Sequence, residues 1–454
     1  MKFDYPDDSL TLHTDAYELS MMQTYWKKGM GNRRAVFEAF FRKMPFNNGY
    51  AVFAGLDHII RYVKQLHFTD SDIEYLKSTN QFDDDFLEYL RNFKFTGSIS
   101  SFEEGDLVFN HEPIIQVDAP IIEGQLIETA ILNILNYQIM IATKASRIKS
   151  IVGNQTVMEF GSRRAQELDA ALWGTRAAYI GGFDATSNVR AGKLLGIPIS
   201  GTHAHALVQV YMNDYDAFKA YAETHHDCVF LVDTFDTLKS GVPNAIKVAK
   251  EFGDKINFIG VRIDSGDMAY LSKKVRKMLD DAGFPDAKII ASNGLDEKTI
   301  QNLQMQGAKI DTWGIGTKLI TAYDQPTLGA VYKLVAIEDE DGQLVDTIKI
   351  SNNVGKMSTP GKKQVWRIND RADGKSEGDY ITLVDEDPRN EKSLNMFNPN
   401  FPLQQKDVED FTARPMLKPI WQDGKYVYDE PTLEESRQHR FDSLNALWDE
   451  YKRD

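Results

Sequence analysis

Between about residue 156 and residue 317 short apolar runs alternate with amphipathic stretches, and no other feature narrows the fold of this chain so far. The runs are TVMEF with GSRR behind it, IGGFD, IPISGT with HAH behind it, VFLVDT, FIGVRIDSGD, KIIASNG and IDTWGIGT. Between them NDYDAFKAYAETHH, VPNAIKVAKEF, MAYLSKKVRKMLDDAG and DEKTIQNLQMQG place apolar side chains at helical spacing, which reads as helices packed on one face. A helix that carries the chain back before each new strand makes neighbouring strands parallel. Seven such strands in succession predict an irregular, TIM-like α/β barrel over 151–325.

The flanks follow other patterns. Residues 1–150 read as an α+β, sandwich-like domain: helices near 15–28, 55–66, 70–79 and 83–92, a strand in AVFEAFFRK, short β pieces from 97 to 122, then an apolar helix at 126–143. In 326–454 the runs YKLVAIE and LVDTIKI meet at Asp341-Gly342, a dipeptide that suits the positive φ of a tight hairpin. WRIND and YITLVDE extend this antiparallel region, 386–434 reads as a polar linker, and ESRQHRFDSLNALWDEYKRD closes as a helix. The strands after the barrel are expected to pack with the N-terminal region as one discontinuous domain.

With 67 acidic against 52 basic residues the net charge is -15, and no long Lys/Arg cluster interrupts it. That balance argues against a nucleic-acid partner, whose phosphates need a basic face. Glu128, Asn133, Asn136 and Gln138 in the apolar helix at 126–143 would be costly in lipid, so no membrane span is expected. The single cysteine, Cys228, lies in the apolar run CVFLV and forms no intrachain disulfide, which fits a reducing compartment. The start MKFDYPDDSLTLHTD has no apolar leader, and the chain is expected in the cytoplasm.

In such a barrel the strand C-termini converge on one face, where side chains just past the strands build the site. These are Phe160, Arg163, Arg164, Asp184, Thr202, His203, His205, Asp233, Arg262, Asp264, Asp267, Ser292, Asn293, Gly294, Gly314, Gly316 and Thr317. The set suits phosphate, because arginines grip its oxygens in pairs and Gly-rich turns offer backbone N–H groups. Each member also has a plainer reading: GIGT as a tight turn, Asp264 or Ser265 as a helix cap, Arg163 and Arg164 as solvated cations, Asp233 as a loop tie. Their convergence on one face is what points to an anionic ligand.

His203 and His205 leave three readings open at this point: a metal clamp, a phosphate-handling site, or rings satisfied in the core. A clamp needs further ligands past later strands. His225 and His226 precede the strand CVFLVD and His439 lies far beyond the barrel, so no metal-ligand set is assigned.

Taken in order, LHTDAYELSMM, EFGSRRAQ, GGFDATSNV, GTHAHA, VRIDSGD, ASNG, GIGTKL and LGAVYKL resemble the motifs of the nicotinate phosphoribosyltransferases, a type II phosphoribosyltransferase family. The resemblance runs from Leu12 to Leu334. It implies a homodimer that transfers phosphoribosyl from 5-phosphoribosyl 1-diphosphate to nicotinate in NAD salvage. It further implies Mg²⁺ as cofactor and ATP as co-substrate, hydrolysed through a phosphohistidine.

Residue by residue, the resemblance makes His205, which closes GTHAH, the phosphorylated histidine, and puts His203 at a variable position. Tyr17 resembles the tyrosine that reaches across the dimer to stack on the pyridine ring, with Phe160 on its other face. Arg163 and Arg262 are expected to hold the diphosphate and the base, Thr202 to contact the base, and Asp264 to lie near the ribose and the reacting centre. Gly316 and Thr317 resemble the 5'-phosphate cradle, and Asp233 and Asn293 complete the expected substrate contacts. Ser187 stands where relatives that use nicotinamide carry aspartate; a carboxylate there would repel the charged acid, so serine favours nicotinate. The competing readings are a nicotinamide or quinolinate phosphoribosyltransferase, a metal-dependent hydrolase, and a non-catalytic phosphoribosyl diphosphate sensor.

Overall fold

A computed structural model describes residues 9–350, 358–398 and 401–452. The start MKFDYPDDSLTLHTD, which carries the expectation of no apolar leader, lies outside the described residues as far as Asp8. Two compact units are present: Lys144–Pro326, and Met1–Thr143 together with Thr327–Asp454.

In Lys144–Pro326 six parallel strands lie in the order Ala185–Thr186, Thr156–Glu159, Thr312–Ile315, Lys288–Ser292, Asn257–Ile263, Asp227–Leu231. The last of these in the chain returns to pair with the first, Trp313 opposite Val157, so the sheet curls into an incomplete barrel. Side chains such as Phe218, Phe230, Val232, Val261 and Ile289, none of them solvent-exposed, fill the core between strands and helices. The helices Asp214–Thr224, Val242–Phe252, Met268–Asp281 and Glu297–Met305 follow the predicted spacing. Asn213, Asp267 and Asp296 start three of them by accepting the N–H of Asp216, Tyr270 and Thr299, a cap that supplies an otherwise orphaned donor with a partner.

Two predicted strands differ. IGGFD is the end of the helix Glu167–Ile180 and its exit turn, and the strand is only Ala185–Thr186; Gly182, at φ 107°, adopts a backbone conformation that ends the helix at little cost. IPISGT contributes one parallel bridge, Ile199 to Thr186. Thr186 N–H donates to Pro198 O and Ser200 N–H to Thr186 O, while Pro198 has no N–H to extend the ladder.

The other unit is built on a seven-stranded antiparallel sheet: Leu344–Asp346, Ala330–Glu338, Arg34–Phe41, Ile115–Pro120, Ser98–Ser101, Lys418–Gln422, Lys425–Tyr426. Arg34–Phe41 is buried from its second residue onward and pairs with Ala330–Glu338 on one side and Ile115–Pro120 on the other. Strands from before and after the barrel thus share one sheet, and the Asp341-Gly342 hairpin sets Ile337 opposite Val345. The region read as a linker instead holds Ser393–Asn398, Phe401–Glu409, Phe411–Pro415 and Lys418–Gln422. In Ser393–Asn398 Leu394 and Met396 point inward while Ser393, Asn395, Phe397 and Asn398 are exposed, so only one face is apolar enough to read as a strand.

The C-terminal helix Leu433–Ala446 opens with a capping box between Thr432 and Glu435. It docks on the turn at Gly105, where a β-carbon would stand 2.4 Å from Ser436 O and 2.8 Å from Arg440 N. His439 Nε2 and Arg414 both lie 2.8 Å from Asp106 Oδ1. Burial alone would raise the Asp106 carboxyl, but the hydrogen bond from His439 and the nearby guanidiniums of Arg414 and Arg367 outweigh it and hold it well below the usual range. Among the described residues no helix is long and apolar enough to cross a membrane.

Candidate active site at the strand ends

Arg262, next to last in the strand Asn257–Ile263, spends its guanidinium on three partners. Nε donates to Ser292 Oγ at 2.9 Å, Nη1 to Thr202 Oγ1 at 3.0 Å and Nη2 to Asp264 Oδ1 at 3.0 Å. Ser292, 3% exposed, in turn donates to Asp264 Oδ1. These contacts join the segment at Thr202 to the ends of the strands Asn257–Ile263 and Lys288–Ser292 and fix the plane of a charge that is itself mostly buried.

Asp264 is held from its backbone as well. Its N–H donates to Asp233 Oδ2 at 3.1 Å and its carbonyl accepts from Asn293 Nδ2 at 3.1 Å. Asn293 and Gly294 have φ of 77° and 68°, the left-handed turn that brings the Asn293 amide back over the neighbouring strand end. Asp233 Oδ2 also accepts from Ser265 Oγ, whereas its Oδ1 is buried without a hydrogen-bond partner.

The two histidines part company. His203 is 7% exposed, and its Nε2 accepts the Leu231 N–H at 3.2 Å. Its ring packs beside Tyr221 and Phe218 with centroids 5.1 and 5.8 Å away. Burial pushes its pKa down to about 4, so it is neutral, with the remaining proton on Nδ1. His205 opens the helix His205–Tyr211, with 40% of its side chain exposed. Its Nδ1 lies 2.9 Å from Thr234 Oγ1 and its Nε2 3.9 Å from Asp264 Oδ2.

The turn after Thr156–Glu159 seats Phe160. Its N–H donates to Ile315 O at 2.7 Å, and Arg262 stands 5.8 Å over its ring, within reach of a cation–π attraction. Gly314 makes room, since a β-carbon there would lie 2.6 Å from the ring. Beneath the turn Glu159 is buried and accepts from Gly161 N–H, from Thr175 Oγ1 at 2.9 Å and from Thr186 Oγ1 at 2.7 Å. Burial raises its carboxyl pKa against those three bonds.

Arg163 and Arg164 lie exposed in the short helical turn Ser162–Arg164, Ser187 is exposed, and Gly316 and Thr317 begin the one-turn helix Thr317–Ile320. Asp267 is a helix cap. Asp184 belongs to the opposite end of the barrel, where it accepts from Val157 N–H and pairs with Lys149. Tyr17 lies in the other unit on the helix Ala16–Lys27, half exposed. Sequence reasoning passed over Glu159 and Thr234; an acidic residue ending the apolar run TVME was the available signal for the first. Among the described residues the one trio of metal-ligand type, Glu103, Asp106 and His439, already holds Arg414 and Lys418 on its carboxylates.

Family models cover most of this architecture: the nicotinate phosphoribosyltransferase N-terminal domain matches residues 12–136, the family itself 155–372, and its C-terminal domain 362–454. The nicotinate phosphoribosyltransferase of Bacillus subtilis (strain 168) is 61% identical over 453 residues, 100% of this chain and 92% of that one. The chain belongs to the nicotinate phosphoribosyltransferase family. A crystal structure of human nicotinic acid phosphoribosyltransferase superimposes with a TM-score of 0.85 at 29% identity, over 97% of this chain and 95% of the human one. Nicotinate-nucleotide pyrophosphorylase from Pyrococcus furiosus shares the fold, with a TM-score of 0.74 at 22% identity over 98% and 97% of the two chains.

Proposed function

We propose that this member of the nicotinate phosphoribosyltransferase family transfers phosphoribosyl from 5-phosphoribosyl 1-diphosphate to nicotinate, releasing nicotinate mononucleotide and diphosphate, and that ATP hydrolysis is coupled to the step through a phosphohistidine at His205. The reading rests above all on the Arg262 cluster, a fixed cation between Thr202, Ser292 and Asp264 with His205 beside it. In cells the reaction serves NAD salvage, in the cytoplasm.

Departure of diphosphate leaves positive charge on the ribose, which the pyridine nitrogen attacks from the opposite side. Arg262 and the solvent-facing Arg163 neutralise the leaving group, and the Asp264 carboxylate stabilises the ribosyl cation. Phe160 supports one face of the base, Thr202 and Ser187 border its carboxylate, and Asn293, Gly316 and Thr317 take the ribose and its phosphate. Holding both partners in line is worth up to roughly 7–11 kcal/mol of the barrier. Asp233 suits Mg²⁺, since its buried, unpartnered Oδ1 is the oxygen donor a hard cation takes; when bound, the ion supplies charge neutralisation on diphosphate.

Tyr17 completes the site from a second copy of the chain. A tyrosine kept half exposed on its helix is free to stack on a ligand held by a neighbour. Phosphorylation of His205 adds negative charge and acceptor oxygens beside Asp264, which orders the surrounding loops around bound substrate.

The test is product formation from 5-phosphoribosyl 1-diphosphate and Mg²⁺ with nicotinate or nicotinamide, each with and without ATP. Nicotinate mononucleotide formed faster or further with ATP is the expected result, and His205→Ala should lose the ATP effect while keeping slow transfer. Preference for nicotinamide overturns the role of Ser187, and no product from either base overturns the reading as a whole.

A further inference from the structure

We infer that Thr234 is a positioning residue for His205, whose hydroxyl holds the imidazole in the one orientation competent for phosphoryl transfer. The inference rests on the phosphohistidine reading above and adds to it a residue that no sequence motif assigned.

The ring of His205 needs such a hold. It sits at the first position of a helix with 40% of its side chain exposed, so packing alone leaves it several rotamers. His203, two residues earlier, is locked by Tyr221, Phe218 and the Leu231 N–H; among the described residues His205 has instead a single short contact, Nδ1 to Thr234 Oγ1 at 2.9 Å. That bond turns Nε2 toward Asp264 Oδ2, 3.9 Å away, a gap too long for a hydrogen bond.

The position of Thr234 is itself determined. It directly follows Asp233, which is tied to the Asp264 N–H and to Ser265, and it lies just past the strand Asp227–Leu231. Asp264, on the far side of the ring, is fixed by Arg262 and Ser292. The imidazole therefore lies between a hydroxyl and a carboxylate that belong to one bonded framework.

The chemistry makes orientation matter. A neutral imidazole has one N–H and one lone pair. The lone pair attacks the γ-phosphorus of ATP, the bond from phosphorus to the bridging oxygen breaks, and ADP leaves with that electron pair. The N–H proton stays on the other nitrogen, and the product is a phosphorylated imidazolium beside Asp264. Only rotamers that present the lone pair to the incoming phosphate react, so a ring free to turn forfeits rate in proportion to the time spent elsewhere.

The experiment compares the full-length wild type, Thr234→Val, which keeps the shape and removes the hydroxyl, and Thr234→Ser, which keeps the hydroxyl. Each is mixed with ATP labelled at the γ-phosphate, and the formation rate of acid-labile, alkali-stable label on the His205 peptide is followed, with thermal unfolding recorded in parallel. The expected result is labelling slowed about fivefold or more in Thr234→Val, the order of one lost hydrogen bond, and restored in Thr234→Ser. Equal rates in wild type and Thr234→Val overturn the inference alone, as does a Thr234→Ser variant slowed as far as the valine. An unfolded Thr234→Val leaves the decision to Thr234→Ser, whose wild-type rate supports the inference and whose slowed rate overturns it. Absence of label on the wild type overturns the phosphohistidine reading and this inference with it.

Discussion

The Nε2 of His203 accepts the backbone N–H of Leu231, on the edge strand of the curled sheet opposite the one that Ile199 bridges. A side chain thus supplies, at the seam of the barrel, a bond that a neighbouring strand would otherwise supply. It does so only while neutral, because a protonated ring has no lone pair to offer.

Acid should therefore loosen the barrel through this residue. The ring titrates near pH 4 in the fold against about 6.5 in the unfolded chain, so between those values the unfolded state binds the extra proton. The contribution is complete above about pH 6.5 and is lost as pH falls toward 4. Urea unfolding at pH 7.5 and pH 5 should show the wild type losing about 2 kcal/mol more than His203→Gln across that interval. Equal losses would show that the ring takes up its proton in the fold over the same pH range as in the unfolded chain.

Gly314→Ala should damage base binding more than folding. The added methyl would stand 2.6 Å from two carbons of the Phe160 ring and 3.3 Å from Ser292 Cβ, so the ring must shift. The expected outcome is a KM for nicotinate raised on the order of tenfold with a smaller change in kcat. An unchanged KM would remove Phe160 from the base site.

Arg262→Lys tests whether the fork matters beyond its charge. An ammonium cannot reach Ser292, Thr202 and Asp264 together as the guanidinium does, so the charge loses its fixed direction. A fall in kcat/KM on the order of 10²-fold is expected in steady-state assays. Activity within about threefold of wild type would show that charge alone suffices.

Glu159→Ala addresses the support beneath the site. It leaves the Gly161 N–H and the Thr175 and Thr186 hydroxyls without their shared acceptor in a buried place. A loss of about 2–4 kcal/mol in urea unfolding is expected. A loss under about 1 kcal/mol would mean that water takes over the carboxylate's bonds.

The barrel was legible because its strands end in polar residues and its helices keep strict apolar spacing: FIGVRIDSGD and the helix behind it fold as read. The candidate site was legible as a list of strand-end residues, and Thr202, Arg262, Asp264 and Ser292 do bond to one another. What stayed hidden follows from physics that a string of letters does not carry. Asp184 looks like a strand-end residue only if IGGFD is a strand, and Gly182 makes it a turn. Glu159 and Thr234 act through side chains whose direction depends on the curl of the sheet. The strands after residue 386 bury one face only, so their apolar residues are outnumbered by the polar ones between them.

The sheet shared by both chain ends bears on how this protein leaves the ribosome. The apolar strand Arg34–Phe41 is made early, yet its partner Ala330–Glu338 follows only about 290 residues later, on the order of 15–60 s at typical elongation speeds. Throughout that delay one edge of a nearly all-apolar strand has no native neighbour, the geometry on which nascent chains stick to one another. Chains cut short after the barrel should accordingly be lost to aggregation or chaperone capture rather than accumulate as a folded N-terminal fragment.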